Sequence, residues 1–177
     1  MDVISYLVDT LLWLLTLAFL LRLLFQLVRA DFRDPLADAI VRVTNWLIRP
    51  LRRVLPPAGK VDSATVVAVC AMAALRVWAR FALYGVFAVD LGSLLHLAAI
   101  GLADLLLRVY LFALLIYWMS SFLAPRGHSP GIGLAADLCE PVLRRIRRWI
   151  PPIGQIDFSV LWASIAIGAM LVLLARL

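Results

Sequence analysis

Long apolar stretches alternate with short charged segments along the whole of this 177-residue chain. Four of the stretches are apolar enough to cross a bilayer core of about 30 Å as helices of about 20 residues each. None shows the alternation of apolar and polar residues that the strands of a transmembrane barrel require. The pattern predicts an all-α membrane protein with four transmembrane helices, over about 4–28, 63–89, 94–123 and 158–174.

The two charged segments between these stretches, over about 29–60 and 124–155, repeat each other at a shift of 95 residues. Each predicted half, 1–90 and 91–177, then consists of a helix, a basic segment, the motif PPxGxxD and a second helix. Because each half holds two spans, both halves share one orientation, unlike the inverted repeats of many transporters. Eight positions are identical: Pro35/Pro130, Arg49/Arg144, Arg52/Arg147, Arg53/Arg148, Pro56/Pro151, Pro57/Pro152, Gly59/Gly154 and Asp62/Asp157.

Apolar residues recur at helical spacing inside both basic segments, with charged residues on the opposite stripe. Such helices are too charged to span a bilayer, and we expect them to lie in its interface. Pro50 and Pro141 are expected to divide each into shorter helices. The apolar stripes are Leu36, Ile40, Val43, Leu47, Leu51 and Val54 in the first copy and Ala135, Leu138, Val142, Ile146, Trp149 and Ile150 in the second.

Composition fixes the environment of the chain. Hydrophobic residues make up 64% and charged residues 16%, with a mean hydropathy of +0.99, whereas soluble domains are about 45–50% apolar and about 25% charged. This excludes a soluble enzyme, a disordered chain and a disulfide scaffold. Cys70 and Cys139 are far apart and form no CxxC pair, so neither a structural disulfide nor a metal site is predicted.

The net charge is +6, and sixteen of the 17 basic residues are arginines. The positive-inside rule places both basic segments in the cytoplasm and both termini outside it, with the chain in the inner membrane. The first stretch has no positive leader or cleavage site, so we expect a retained helix. The clustered arginines suit anionic lipids or a cytoplasmic or membrane protein partner, and nucleic acid is disfavoured without a binding module. The candidate binding residues are Arg49, Arg52, Arg53, Arg144, Arg147 and Arg148.

Two aspartates, Asp62 and Asp157, stand just before the second and fourth spans. Each suits a helix N-cap, because an aspartate there accepts hydrogen bonds from free amides and meets the positive helix end. Each could instead bind an arginine and lock the interfacial helix to the span. One carboxylate has enough acceptor sites for both roles.

Four charged residues are predicted to lie inside the membrane: Arg76, Arg80, Asp104 and Arg108. Charges at that depth cost roughly 2.5–3.5 kcal/mol each and therefore face a partner or a wet cavity. Asp104 can pair with Arg108 one turn on, or across helices with Arg76 or Arg80. The alternatives are a structural ion pair and an anion-favouring or lipid-headgroup pathway. No catalytic set and no cofactor motif is present, so a non-enzyme is predicted.

The segment from Val28 to Pro35, the pair Thr44-Asn45, and the run from Arg49 to Pro57 with Asp62 resemble the YggT family of bacterial and plastid membrane proteins. The run from Glu140 to Asp157 resembles the second repeat of that family, so that the likeness covers nearly the whole chain. The resemblance implies links to osmotic-stress tolerance, to cell division and chromosome distribution, and to plastid cytochrome haem assembly. It implies no enzymatic activity and no catalytic residues.

Two functions therefore remain open from the sequence. The first is a non-catalytic assembly or membrane-organising factor whose basic cytoplasmic face holds anionic lipids and a protein partner. The second is a small channel or flux protein in ion or osmolyte homeostasis, which would depend on homo-oligomerisation because four helices barely enclose a pore.

Overall fold

A computed structural model describes residues 3–30, 32, 34–55, 62–123, 131–148 and 158–176. All regular structure within these ranges is helical. A long apolar helix, a charged helix and a second apolar helix follow one another, and the same order then occurs again. The six helices are α1 (Val3–Val28), α2 (Pro35–Val54), α3 (Ser63–Leu83), α4 (Leu91–Leu123), α5 (Ile132–Arg147) and α6 (Ser159–Leu174).

Three of these helices are long and apolar enough to cross a membrane: α1, α3 and the part of α4 over Leu91–Ser120. The helix α6 is equally apolar but only 16 residues long. The membrane class predicted from composition is therefore supported by the helices themselves. Of the repeated PPxGxxD motifs, the residues 56–61 and 151–157, including Asp157, lie outside the described residues.

The second predicted span is shorter than the sequence suggested, because α3 ends at Leu83 rather than at position 89. Gly85 adopts the left-handed conformation with φ of 79°. Its amide donates to Ala82 O and the amide of Val86 donates to Phe81 O, each at 3.0 Å. This pair of bonds is a Schellman motif, which ends a helix where glycine can take a positive φ. The sequence predicted helix over residues 86–89 because they are apolar, and hydropathy does not indicate where a helix ends.

The two internal prolines do not divide the charged helices, contrary to expectation. α2 continues through Pro50 and α5 continues through Pro141. Both proline residues are exposed. A proline inside a helix removes one backbone hydrogen bond and crowds the preceding turn, and on an exposed face the carbonyl left without its donor can tilt outward.

The chain divides into two compact units, each with its own buried core. The first unit comprises Met1–Leu27 and Ala39–Ala103, and Phe19, Phe25 and Ile48 are fully or almost fully buried in it. The second unit comprises Val28–Asp38 and Asp104–Leu177. In this unit α5 packs against α6, and Leu143 is fully buried.

Candidate functional site

The helix α2 has three distinct faces. One face is buried in the protein and carries Ala37, Thr44 and Ile48, each 0% exposed. A second face is the apolar stripe seen in the sequence, and half of its residues are exposed: Leu36, Val43 and Val54 are 50%, 51% and 78% exposed. The other three, Ile40, Leu47 and Leu51, are partly covered. The third face carries the charged residues, among which Arg49 and Arg53 are exposed.

A buried arginine that the sequence analysis passed over holds α2 to α1. Arg22 is only 3% exposed, and its Nη1 donates to Thr44 Oγ1 at 2.7 Å and to Asn45 Oδ1 at 2.9 Å. The Val41 carbonyl also lies within reach, at 3.2 Å. These contacts give a role to the Thr44-Asn45 pair of the family pattern. The available signal was a lone arginine near the end of an apolar helix, followed by two adjacent polar side chains in the next helix.

The far end of α2 is joined to α3 by Asp62. Arg52 donates to Asp62 Oδ2 from both Nε, at 2.9 Å, and Nη2, at 2.7 Å. The hydroxyl of Thr65 donates to the same oxygen at 2.8 Å. Asp62 also occupies the N-cap position of α3, where its backbone carbonyl, and not its side chain, accepts from the helix amides. The carboxylate therefore binds an arginine while the main chain begins the helix.

This arrangement sets the charge state of Asp62. Burial raises the pKa of the carboxyl group, but the hydrogen bonds from Arg52 and Thr65, together with the positive charge of Arg52, outweigh burial and hold the pKa below its ordinary value. Asp62 is consequently ionised at neutral pH and remains a partner for Arg52.

The predicted binding arginines fall into two groups. Those bound by an acidic residue are called held here, and those that form no ion pair with a described residue are called free. Arg147 donates to Glu140 at 3.3 Å and to the Tyr117 hydroxyl at 3.2 Å, just as Arg52 is held by Asp62. Arg144 makes only a loose contact of 3.7 Å with Glu140. Of the predicted set, Arg49, Arg53 and Arg148 are exposed and form no ion pair with any residue in the described ranges. The same holds for Arg145, which was not among the predicted binding residues.

The apolar stripe of α5 is more covered by protein than that of α2. Ala135 and Leu138 are each 4% exposed, Val142 and Ile146 are partly exposed, and Trp149 and Ile150 lie outside the described residues. Leu134 and Leu143, which are not part of the predicted stripe, are also buried. Cys139 is fully buried, and burial raises the pKa of its thiol to about 12, so that the thiol stays protonated and inert at neutral pH.

Asp34 connects the start of α2 to the start of α5 inside the second unit. Its Oδ1 accepts from the Leu36 amide at 2.8 Å and its Oδ2 accepts from the Gly131 amide at 2.9 Å. Asp34 thus caps one helix and holds the residue that precedes another. The sequence signal was an aspartate directly before a proline at a helix start, an arrangement typical of helix N-termini.

Within the candidate spans, the acid that binds Arg76 and Arg80 is Asp9 of α1, which the sequence analysis did not propose. Both guanidinium groups make two hydrogen bonds to its carboxylate, at 3.0 and 3.2 Å from Arg76 and at 2.7 and 2.8 Å from Arg80. Asp104 binds Arg108 one turn along α4, with two bonds of 2.7 and 2.9 Å. Each of these arginines therefore has a carboxylate partner.

Among the described residues, no group of three His, Cys, Asp or Glu side chains could hold a metal ion. What the arrangement can do is bind. It presents free guanidinium groups beside an uncovered apolar stripe, and an anionic headgroup or a protein carboxylate is the natural counterpart of such a surface.

The comparisons with known proteins agree with the family resemblance. The CCB3/YggT family model matches residues 1–83 and 96–177. An uncharacterised protein of Pseudomonas aeruginosa is 38% identical over 164 residues, which cover 92% of this chain and 83% of that protein. The YggT protein of Escherichia coli K12, itself described as uncharacterised, is 32% identical over 90% of this chain and 82% of its own length. An uncharacterised protein of Vibrio alginolyticus is 37% identical over 91% of this chain and 87% of its own.

No solved structure matches the chain. The family model and the curated relatives each extend over most of the sequence, and the motifs that carried the resemblance lie inside the matched ranges. The chain therefore belongs to the CCB3/YggT family.

Proposed function

We propose that this protein is a non-catalytic assembly or organising factor of the inner membrane, which acts through a basic cytoplasmic surface. The name arginine face is used here for the exposed arginines of the two basic segments taken together: Arg49 and Arg53 in the first segment, and Arg145 and Arg148 in the second. In this proposal anionic lipids occupy the arginine face, and a membrane or cytoplasmic protein docks on it.

The single observation that carries the proposal is the exposure of two unlike features on α2. Its apolar stripe is exposed at Leu36, Val43 and Val54, and the exposed Arg49 and Arg53 form no ion pair with any residue that the structure describes. A helix with an exposed apolar side and an exposed cationic side is stable where hydrocarbon meets anionic headgroups. Each cation near such a surface contributes about 1 kcal/mol of attraction.

The topology is part of the same proposal. With both basic segments in the cytoplasm, the arginine face meets the leaflet that carries the negative surface potential. The termini then lie outside the cytoplasm, and the two segments belong to parallel halves of a four-helix chain. The distribution of arginine along the sequence supports this orientation.

The held arginines have a different task in this proposal. Arg52 and Arg147 are bound by Asp62 and Glu140, so their charges are compensated and their positions are fixed. Arg52 joins α2 to Asp62 at the start of α3, and Arg147 joins α5 to Tyr117 of α4, while the free arginines recognise lipid or protein. Arginines that look equivalent in the sequence therefore divide into positioning and recognition groups.

The alternative function, a small oligomeric channel, rests on the charges inside the spans. In the structure Arg76 and Arg80 share Asp9, and Arg108 has Asp104. Asp9 offsets only one of the two charges of Arg76 and Arg80, but each of the three arginines is bound to a carboxylate, which favours a structural role over a permeation pathway. We therefore place the channel second, and a protein in liposomes that conducts no small ion would remove it.

The proposal is tested by photo-crosslinking in native membranes. A photoreactive amino acid replaces Arg53 or Arg148, and a matched control carries it at Ile48, which is buried in α2. We expect one specific protein to be captured at Arg53 and Arg148 but not at Ile48, together with anionic phospholipid. Capture of nothing but copies of the chain and zwitterionic lipid at both positions would contradict the proposal.

Charge reversal supplies an independent test. Arg53→Glu is expected to abolish recovery of the captured protein while the chain still inserts. The matched control is Arg176→Glu, at the exposed arginine that follows α6, which the proposed topology places on the opposite side of the membrane. Equal recovery with both variants would show that the arginine face is not the docking surface.

A further inference from the structure

Three buried polar atoms in the first unit make no hydrogen bond to any described residue: Arg22 Nε, Gln26 Oε1 and Asp62 Oδ1. A buried polar group without a partner costs about 1–3 kcal/mol, so most such groups in proteins are satisfied. All three belong to the side chains that join α1 to α2 and α3. One molecule within hydrogen-bonding distance of all three would satisfy them together.

Existing contacts bring the three side chains together. Gln26 Nε2 lies 3.4 Å from Thr65 Oγ1, and Thr65 Oγ1 lies 2.8 Å from Asp62 Oδ2. Arg22 and Gln26 are one turn apart on α1 and therefore share a side of that helix. Arg22 is also within electrostatic range of Asp62 and of Arg52.

The orientation of the Gln26 amide follows from the same contacts. Thr65 donates its single hydroxyl proton to Asp62, so its oxygen can only accept a hydrogen bond from Gln26. The amide must then present Nε2 to Thr65 and Oε1 to the junction. The unpartnered set is consequently one N–H donor, on Arg22, and two oxygen acceptors, on Gln26 and Asp62.

We propose that a bound water molecule occupies this junction as a fixed part of the structure. A water accepts one hydrogen bond from Arg22 Nε–H and donates one to each of the two oxygens. It therefore supplies the one acceptor and the two donors that these three groups require. Buried waters make about three such bonds to groups that would otherwise be unsatisfied. An anion would face the Asp62 carboxylate and a cation would face the Arg22 guanidinium, so a neutral molecule that both donates and accepts is the ligand that fits.

This site goes beyond the proposed function, because it concerns how the interfacial helix is attached and not what the arginine face recognises. Arg22 binds α2 through its Nη1 and would reach α3 through the water. Asp62 holds Arg52 of α2 and would reach α1 through the same water. The water thereby completes a closed polar network among the first three helices.

Solid-state NMR of the full chain in lipid bilayers tests the site directly. Magnetisation transfer from water to the Arg22 Nε–H proton is measured at mixing times too short for chemical exchange. The matched control is Arg76 Nε–H, which donates to Asp9 Oδ1. We expect a water cross-peak at Arg22 and none at Arg76. No cross-peak at Arg22, with the Arg22 signal itself resolved, would overturn the proposal.

A substitution tests whether Gln26 is a ligand of the water. Gln26→Met removes one of the three ligands, so we expect the water cross-peak of Arg22 to be lost. The same change also removes the hydrogen bond from Gln26 to Thr65, so the matched control is Thr65→Val, which removes that bond but leaves all three ligands in place and should retain the cross-peak. An Arg22 cross-peak that is unchanged in Gln26→Met would refute the proposed site, whatever the outcome for the arginine face.

Discussion

The two charged helices, α2 and α5, have nearly the same sequence pattern but different surroundings. Each has an apolar stripe opposite a charged stripe, and each continues through an internal proline. At the shift of 95 residues, Leu138 of α5 corresponds to Val43 of α2, yet Leu138 is 4% exposed and Val43 is 51% exposed. The fully buried Cys139 and Leu143 correspond to the fully buried Thr44 and Ile48, so the two helices share a buried face and differ in the apolar stripe beside it.

The difference shows that amphipathicity does not specify what an apolar stripe contacts. In α5 the stripe residues Ala135 and Leu138 are buried in the second unit, where α5 packs against α6. α2 is held by its separate buried face and by polar contacts with Arg22 near the middle of the helix and with Asp62 near its C-terminal end, which leaves the exposed part of its apolar stripe available. In a soluble protein an exposed apolar stripe of this kind would promote aggregation. Next to lipid the same stripe can insert into the interface and anchor the helix.

The largest expected effect comes from truncating the stripe on each helix. Leu138→Ala, in the covered stripe of α5, and Leu143→Ala, on the buried face beside it, are each expected to lower the free energy of unfolding by about 2–5 kcal/mol, because each leaves a cavity. Val43→Ala, at the position of α2 that corresponds to Leu138, is expected to cost less than about 0.5 kcal/mol in detergent, as surface changes do. Denaturant unfolding in one detergent measures all three, and equal losses for Leu138→Ala and Val43→Ala would break the comparison.

A second effect concerns the polar attachment of α2. Arg22→Met removes a buried charged donor and leaves Asn45 Oδ1 without that donor, so a loss of about 1.5–3 kcal/mol is expected. Tyr117→Phe, which removes the hydroxyl that binds Arg147 near α5, is expected to cost about 0.5–1.5 kcal/mol. The same unfolding assay ranks the two. A smaller loss for Arg22→Met would mean that α2 is not held mainly by polar contacts.

The ion pair between Arg52 and Asp62 is expected to make the stability of the folded protein depend on pH. The folded pKa of Asp62 is depressed, so its contribution is present above the unfolded pKa of about 3.9 and is lost as pH falls through the folded pKa. Asp62→Asn should therefore be less stable than the native chain at pH 7, and the difference between their free energies of unfolding should narrow at about pH 3. A difference that stays constant with pH would show that the carboxylate charge is not the source of the stability.

The smallest effect is expected at the exposed pair on α5. Glu140 and Arg144 are 3.7 Å apart, and the Arg144 side chain is 71% exposed. Exposed pairs one helical turn apart contribute about 0.3–0.5 kcal/mol, so Arg144→Ala should change the unfolding midpoint very little. A loss comparable to that of Leu143→Ala would indicate that the charged side of α5 is part of a packed interface.

Much of the fold follows from the sequence because hydropathy and helical period are local signals. The helical class, the long apolar helices and the family membership are all confirmed. The close contact between Asp104 and Arg108 also follows from spacing alone, since residues four apart meet on a helix.

The missed residues all act across long sequence separations. Asp9 meets Arg76 and Arg80 from 67 and 71 positions away, and Asp34 meets Gly131 from 97. No periodicity within one helix can select such a partner. The end of α3 was missed for a different reason, because apolar residues continue past the glycine that stops the helix.

The proposed function depends most on the exposed part of the apolar stripe of α2 lying in lipid. Spin-label accessibility measures directly whether these residues face lipid or water. Single nitroxide labels replace Val43, Arg49 and, in α5, Ala135, in a chain without Cys70 and Cys139, reconstituted in bilayers that contain anionic lipid. We predict preferential collision with oxygen at Val43, with a water-soluble nickel complex at Arg49, and with neither at the buried Ala135. Preferential collision with the nickel complex at Val43 would contradict the account, because the stripe would then face water.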